Sequence, residues 1–206
     1  MLNLHNFHKS YSTGFSISVD HLALDSGIHL IKGANGSGKS TLLKAIAGIH
    51  DFKGEINLLG VSIKKDPVSY RKMVNFSEAE PVFPEFLSLD ELINFTTSII
   101  HEDKNQILEL KEKLDIRDYS ENPISSYSSG MLKKSALLLA FLGEPKLIIL
   151  DEPFTTIDLA TQDHLKELIL KKQEEGVSFI LTSHMADFED FFAYHSVHEI
   201  KDGSII

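Results

Sequence analysis

Apolar positions follow two different rhythms along this chain, and the way the rhythms alternate is its first structural signal. Short apolar runs at Gly27–Gly33 (GIHLIKG), Leu147–Leu150 (LIIL), Val177–Ser183 (VSFILTS) and His195–Ile200 (HSVHEI) read as strands. The first is followed by a helical pattern at Lys39–Gly48, the second by one at Thr161–Lys172, and the third by a short segment to Phe192. Around Leu165, Leu168, Ile169 and Lys172 the spacing is i, i+3, i+4, so one face packs and the other carries charge. Such alternation predicts an α/β core with a largely parallel sheet. From about Ser88 to Leu114 strands give way to helical spacing: Leu89, Leu92, Ile93 and Ile99, then Ile107, Leu110 and Leu114, read as two or more helices. A helical subdomain, roughly residues 80–130, inserted into the core is the simplest account. The first 30 residues and Gly54–Ile63 (GEINLLGVSI) read as strands joined by turns, forming a small antiparallel sheet beside the core. No repeat or linker divides the sequence, so residues 1–206 read as one domain.

Composition narrows the function classes. With 206 residues, 42% of them hydrophobic, the chain can bury a sizeable core, which excludes a disordered or fibrous polymer. A net charge of −10 argues against a surface that coats nucleic acid, and no nucleic-acid partner is expected. Cysteine is absent, so there is neither a disulfide framework nor a thiolate metal site. The pairs His5/His8 and His195/His198 lack the carboxylate or cysteine company of a metal centre. The longest apolar run, Ala136–Leu142, falls far short of the roughly 20 residues that span a bilayer, and the N-terminus lacks the apolar stretch of a signal peptide. A soluble, cytoplasmic chain is expected.

The chemistry concentrates after the first parallel strand. Gly33-Ala-Asn-Gly-Ser-Gly-Lys-Ser40 stands between that strand and a helix with the spacing of a phosphate-binding loop. Glycines let successive N–H groups turn inward around an anion, assisted by the positive end of the helix that follows. Lys39 can reach the β- and γ-phosphates, and the Ser40 hydroxyl can ligate Mg²⁺. The binding stretch is read as Gly33, Asn35, Gly36, Ser37, Gly38, Lys39, Ser40 and Thr41; the plain alternative is a tight turn. A second acidic element is supplied by LIILDEP, a buried strand ending in Asp151 at the edge where ligands bind in open α/β sheets. Asp151 is placed to hold Mg²⁺, and Glu152 to polarise an attacking water. Alternatively the acidic pair caps the next element.

Together with Tyr127–Met131 (YSSGM), Phe154–Asp158 (FTTID) and His184, these motifs resemble the nucleotide-binding domain of ABC (ATP-binding cassette) transporters over nearly the whole chain. The resemblance implies a P-loop NTPase core of RecA-like type, with ATP and Mg²⁺ as ligands. It aligns Tyr11 with the aromatic that stacks on adenine, with Phe7 as the alternative. It aligns Ser128, Ser129 and Gly130 with the signature sequence, Asp158 with the D-loop and His184 with the switch histidine. In the family, the signature of one subunit packs on nucleotide held by the phosphate loop of another. A head-to-tail pair, here of two identical chains, is therefore implied, as are separate transmembrane permease subunits that keep the chain on the cytoplasmic face of the membrane. Its shortness and LDEPFTTID look like the compact exporter-type ATPases.

The chain departs from the family pattern at two places. No glutamine occupies Asn75–Phe86, where the family has a metal-sensing one; Glu78 aligns best and is taken as a metal ligand, with Ala79 and Glu80 as rivals. Ser129 replaces the first signature glycine and Met131 the glutamine. Val82, Phe83, Phe86 and Leu87 suit a groove that receives the membrane partner, or pack within the helical region.

Overall fold

The computed structural model describes residues 1–100, 104–184, 188 and 190–206. The segment expected to run from Ser183 to Phe192 falls partly outside these residues. Ten strands form a continuous sheet in the order β5-β4-β1-β2-β10-β9-β3-β8-β7-β6. One half holds β1 (Leu2–Ser10), β2 (Ser16–Leu24), β4 (Lys53–Leu58) and β5 (Val61–Ser62), in which β1 pairs antiparallel with β2 and with β4. The other half is wholly parallel: β9 (Ser196–Lys201), β3 (Ile28–Lys32), β8 (Ser178–Ser183), β7 (Leu147–Leu150) and β6 (Val74–Ser77). The short β10 (Ser204–Ile205) lies between the halves, antiparallel to β9 and parallel to β2. This is the expected P-loop α/β architecture.

Strand periodicity sorts the core into two layers. Alternate residues of a strand point to opposite faces, so Ile148 and Leu150 of β7 join one cluster while Leu147 and Ile149 join the other. The second cluster is covered by α1 (Lys39–Ile46) and the antiparallel strands, through Leu42, Leu43, Leu2, Leu4 and Ile56. The first is covered by α5 (Ser129–Phe141) and α6 (Leu159–Glu174). It also takes Leu89 and Ile93 of α3 (Leu89–Ile99) and Leu110 of α4 (Lys104–Lys113). These helices occur where helical spacing called for them, between β6 and α5. A reciprocal capping box opens α3: the Ser88 hydroxyl accepts from the Glu91 amide, and the Glu91 carboxylate accepts from the Ser88 amide.

Some elements have no counterpart in the hydrophobic pattern, the short β10 among them. The helix α2 (Pro67–Lys72) is marked by chemistry instead, with Asp66 as N-cap and Pro67 at its first position. Strand β6 is hidden by Asn75 and Ser77. Asn75 is no break in the strand, because its amide donates to the carbonyls of Ala140 (2.9 Å) and Leu142 (2.7 Å) at the C-terminal end of α5.

Candidate nucleotide-binding site

β3 carries four consecutive buried residues and delivers the chain to Gly33 at the C-terminal edge of the parallel sheet. A side chain at Gly33 would place its Cβ 2.6 Å from the Ile200 carbonyl and 2.7 Å from the Ser37 hydroxyl. Gly38, the N-cap of α1, has φ 113°, a left-handed conformation that an L side chain rarely adopts. No side chain caps this helix. Its first amides therefore lack intrahelical partners and form a seat for an anion, with the helix dipole behind them.

That seat opens on a cleft of about 630 Å³ whose lining includes Asn35, Gly36, Gly38, Lys39, Ser40 and Thr41 on one side. Asp151, Glu152, Thr155, Thr156 and His184 line it from the ends of β7 and β8. The Lys39 ammonium donates to the carbonyls of Gly33 (2.7 Å) and Ala34 (3.3 Å), and lies 3.8 Å from Glu152 Oε1. Asp151, 1% exposed, accepts from the Thr182 hydroxyl at 2.6 Å, and that hydroxyl in turn accepts from the Glu152 amide at 2.9 Å. Glu152 itself has φ 48°, a strained value for a residue with a Cβ. Its Oε2 sits 3.0 Å from His184 Nδ1, while its buried Oε1 has no hydrogen-bond partner. A buried carboxylate oxygen left free beside a phosphate seat is the unsatisfied group that a reacting water or metal-bound water would complete. The hard-oxygen donors Ser40 and Asp151 share the same cleft, a set that suits Mg²⁺.

Several expected residues sit elsewhere. Glu78, taken as a metal ligand, does not reach the cleft: its carboxylate pairs with Lys44 Nζ at 2.9 Å and lines a separate concavity. Ala79 and Glu80, the rivals for that position, line the cleft. Phe7 is 1% exposed and packs on Phe52, so it cannot stack on a base. Tyr11 stands at the cleft margin, its hydroxyl 3.4 Å from the Thr41 hydroxyl and 3.1 Å from His50 Nδ1. Phe15, 6.3 Å from the Tyr11 ring, does line the cleft and was missed in the sequence. Its place eighteen residues before Gly33, in the stretch where the resemblance puts an aromatic, is the signal that could have found it.

Ser128, Ser129 and Gly130 do not line this cleft. They open α5, where the Ser128 hydroxyl accepts from the Met131 amide at 3.2 Å. Gly130 lies against the D-loop of its own chain: a Cβ there would be 2.9 Å from the Thr156 carbonyl oxygen. Asp158 caps α6 through the Thr161 amide (2.9 Å) and pairs with Lys134 (2.9 Å). The Lys134 ammonium and the Thr161 donors hold its carboxyl well below the usual carboxylate range.

A phosphate loop facing an acidic strand end across one cleft defines a P-loop ATP-binding domain. More particularly, the chain belongs to the ABC transporter family, whose model, described in those words, matches residues 21–155. It is an ATP-binding subunit of that family and an ATPase. Among curated relatives it resembles the lantibiotic transport ATP-binding protein SrtF of Streptococcus pyogenes, 26% identical over 93% of this chain and 86% of that one. The fold matches a solved ATP-binding subunit of an ABC transporter with TM-score 0.86 at 24% identity, covering 99% of this chain and 87% of that one. It also matches a dimeric ATP-binding cassette in a post-hydrolysis state bound to ADP and Pi, TM-score 0.83 at 20% identity, covering 100% and 96%. Among the described residues no helix is long and apolar enough to cross a membrane.

Proposed function

We propose that this subunit hydrolyses MgATP to power export through separate transmembrane chains, with two copies closing head to tail around the nucleotide. The observation that carries the reading is the Glu152 carboxylate. One oxygen is held by His184 at 3.0 Å and the other is buried and free, next to Lys39. The amides that open α1 and Lys39 take the phosphates, and the Tyr11–Phe15 edge takes the base. Ser40 and Asp151 would hold Mg²⁺, which would neutralise phosphate charge. Glu152 orients a water for in-line attack on the γ-phosphorus and accepts its proton as the bond to the bridging β–γ oxygen breaks. His184 keeps that carboxylate aimed. Ser128–Gly130, placed outside the cleft of their own chain, supply the second wall of a partner's cleft.

The membrane partner fits the concavity of about 240 Å³ whose lining includes Ile49, Phe76, Val82, Phe83 and Leu139. Val82 is 90% exposed and Phe86 82%, so both side chains are open to be covered by a partner. Similarity to a lantibiotic transport ATP-binding protein supports a transport role. Two measurements test the reading. Purified chain should release phosphate from ATP only with Mg²⁺ present, and gently solubilised membranes should yield it together with a multi-span protein. Absence of any such companion removes the transport role, and metal-independent or absent turnover removes the mechanism.

A further inference from the structure

Lys133 lies inside α5 with 0% of its surface exposed, among the largest fully buried side chains of the molecule. Taking an ammonium out of water is costly, and an apolar residue of the same length would fill the space without that cost. Burial draws the ammonium down to about 8, against the opposing pull of the Asp151 and Glu152 carboxylates. What the charge secures is visible in its acceptors. Lys133 Nζ donates to the carbonyls of Asp151 at 2.7 Å, Glu78 at 2.9 Å and Ala79 at 3.2 Å.

These carbonyls belong to the ends of neighbouring strands. The β6–β7 ladder continues as far as the Asp151 amide, which donates to the Ser77 carbonyl at 2.9 Å. Beyond that bond the pairing ends, and the carbonyls of Glu78, Ala79 and Asp151 converge on one ammonium. The two tied segments face different cavities. Ala79 and Asp151 line the ATP cleft, whereas Glu78 lines the apolar concavity and is held from the far side by Lys44 of α1. Lys133 itself sits one turn into the helix that Ser128–Gly130 begin.

We propose that Lys133 is a positioning residue: it fixes Asp151 and Glu152 against the cleft and passes displacement of the 78–83 loop to them. This rests on the ATPase reading above. A chain without a loop glutamine thereby joins its docking concavity to its acidic strand end through backbone carbonyls.

The test uses the purified full chain with MgATP, the original protein run in parallel. In Lys133→Met, kcat should fall at least tenfold while ATP affinity stays within threefold, and Lys133→Arg, which keeps charge and donors, should recover most of the lost turnover. Hydrogen exchange should quicken at least tenfold at amides of 77–83 and 151–156 together, with α1 unchanged. Lys133→Gln, which keeps two donors, replaces the Met variant if the latter does not fold, with a smaller split of the same kind. Unchanged kcat, parallel loss of kcat and affinity, or exchange that quickens throughout the chain each overturns the proposal. An original chain that binds ATP without hydrolysing it overturns the ATPase reading instead, and the exchange pattern then decides the role of Lys133 alone.

Discussion

The ATP cleft and the paired N-termini of α5 and α6 are both built from polar loop residues at the sheet's C-terminal edge, yet their polar groups are in opposite states. In the cleft, groups are left open: an uncapped helix N-terminus and a carboxylate oxygen of Glu152 that has no hydrogen-bond partner and only the Lys39 ammonium 3.8 Å away. At the α5–α6 edge, groups are satisfied from within. Ser128 caps α5, Asp158 caps α6, and Lys134 neutralises Asp158. Free polar groups are costly to fold and are retained where a ligand completes them. Satisfied ones are rigid, and a rigid polar edge suits presentation to another molecule. The first region therefore reads as the half that does chemistry, the second as the half that is offered to a partner chain.

The change expected to have the largest effect cuts at the first half. Glu152→Gln keeps the shape and the contact with His184 but removes the proton acceptor. Turnover should fall by about 100-fold or more, in the range that general-base removal produces. ATP affinity should stay within a few-fold, because Glu152 is not part of the phosphate seat. Phosphate release and equilibrium nucleotide binding, measured side by side, check this. Undiminished turnover would show that the free oxygen of Glu152 has no part in the reaction.

Gly130→Ala strikes the second half. The added Cβ would meet the Thr156 carbonyl at 2.9 Å, so the α5 N-terminus and the D-loop must separate. Since residue 130 does not line the cleft of its own chain, ATP binding to the single chain should hold while turnover drops about tenfold. In the Glu152→Gln background the ATP-induced dimer should weaken in sedimentation. If turnover and dimerisation are both untouched, the two regions do not act as halves of one site.

How much of this was legible in the sequence differs between the regions for physical reasons. The strand Leu147–Leu150 and the loop before α1 were readable because apolar runs and glycine spacing are local signals. The place of Glu78 was not. Alignment to the family locates the stretch Asn75–Phe86, but which of three successive residues turns to the cleft depends on Lys44 and Lys133 from distant elements. The alternative to Tyr11, Phe7, fails for a related reason. Asn6 takes φ 49° and the β1–β4 register shifts between His5 and His8, so the parity flips and Phe7 joins Leu2 and Leu4 in the core. Lys133 was hidden by its type, since a lysine on a helix ordinarily reads as surface.

The smallest effect separates capping from charge at the second half. Asparagine caps a helix about as well as aspartate, so Asp158→Asn should keep the cap bond from the Thr161 amide and α6 intact, while losing the attraction to Lys134 and the carboxylate acceptor of the Thr161 hydroxyl. Asp158 is more than half exposed, and a pair of that kind contributes at most about 1 kcal/mol. The melting midpoint at pH 7 should drop by less than about 4 °C. The sign of the pH dependence follows from the depressed carboxyl. A folded value below the unfolded 3.8 means that the stabilisation is fully present above about pH 4. It is lost as acid protonates the folded carboxyl. The midpoint difference between the two chains should thus be flat from pH 7 to pH 5 and shrink only under pH 4. A difference that grows on acidification, or one several times larger at neutral pH, would mean that Asp158 holds more of the α5–α6 edge than its cap and a single ion pair.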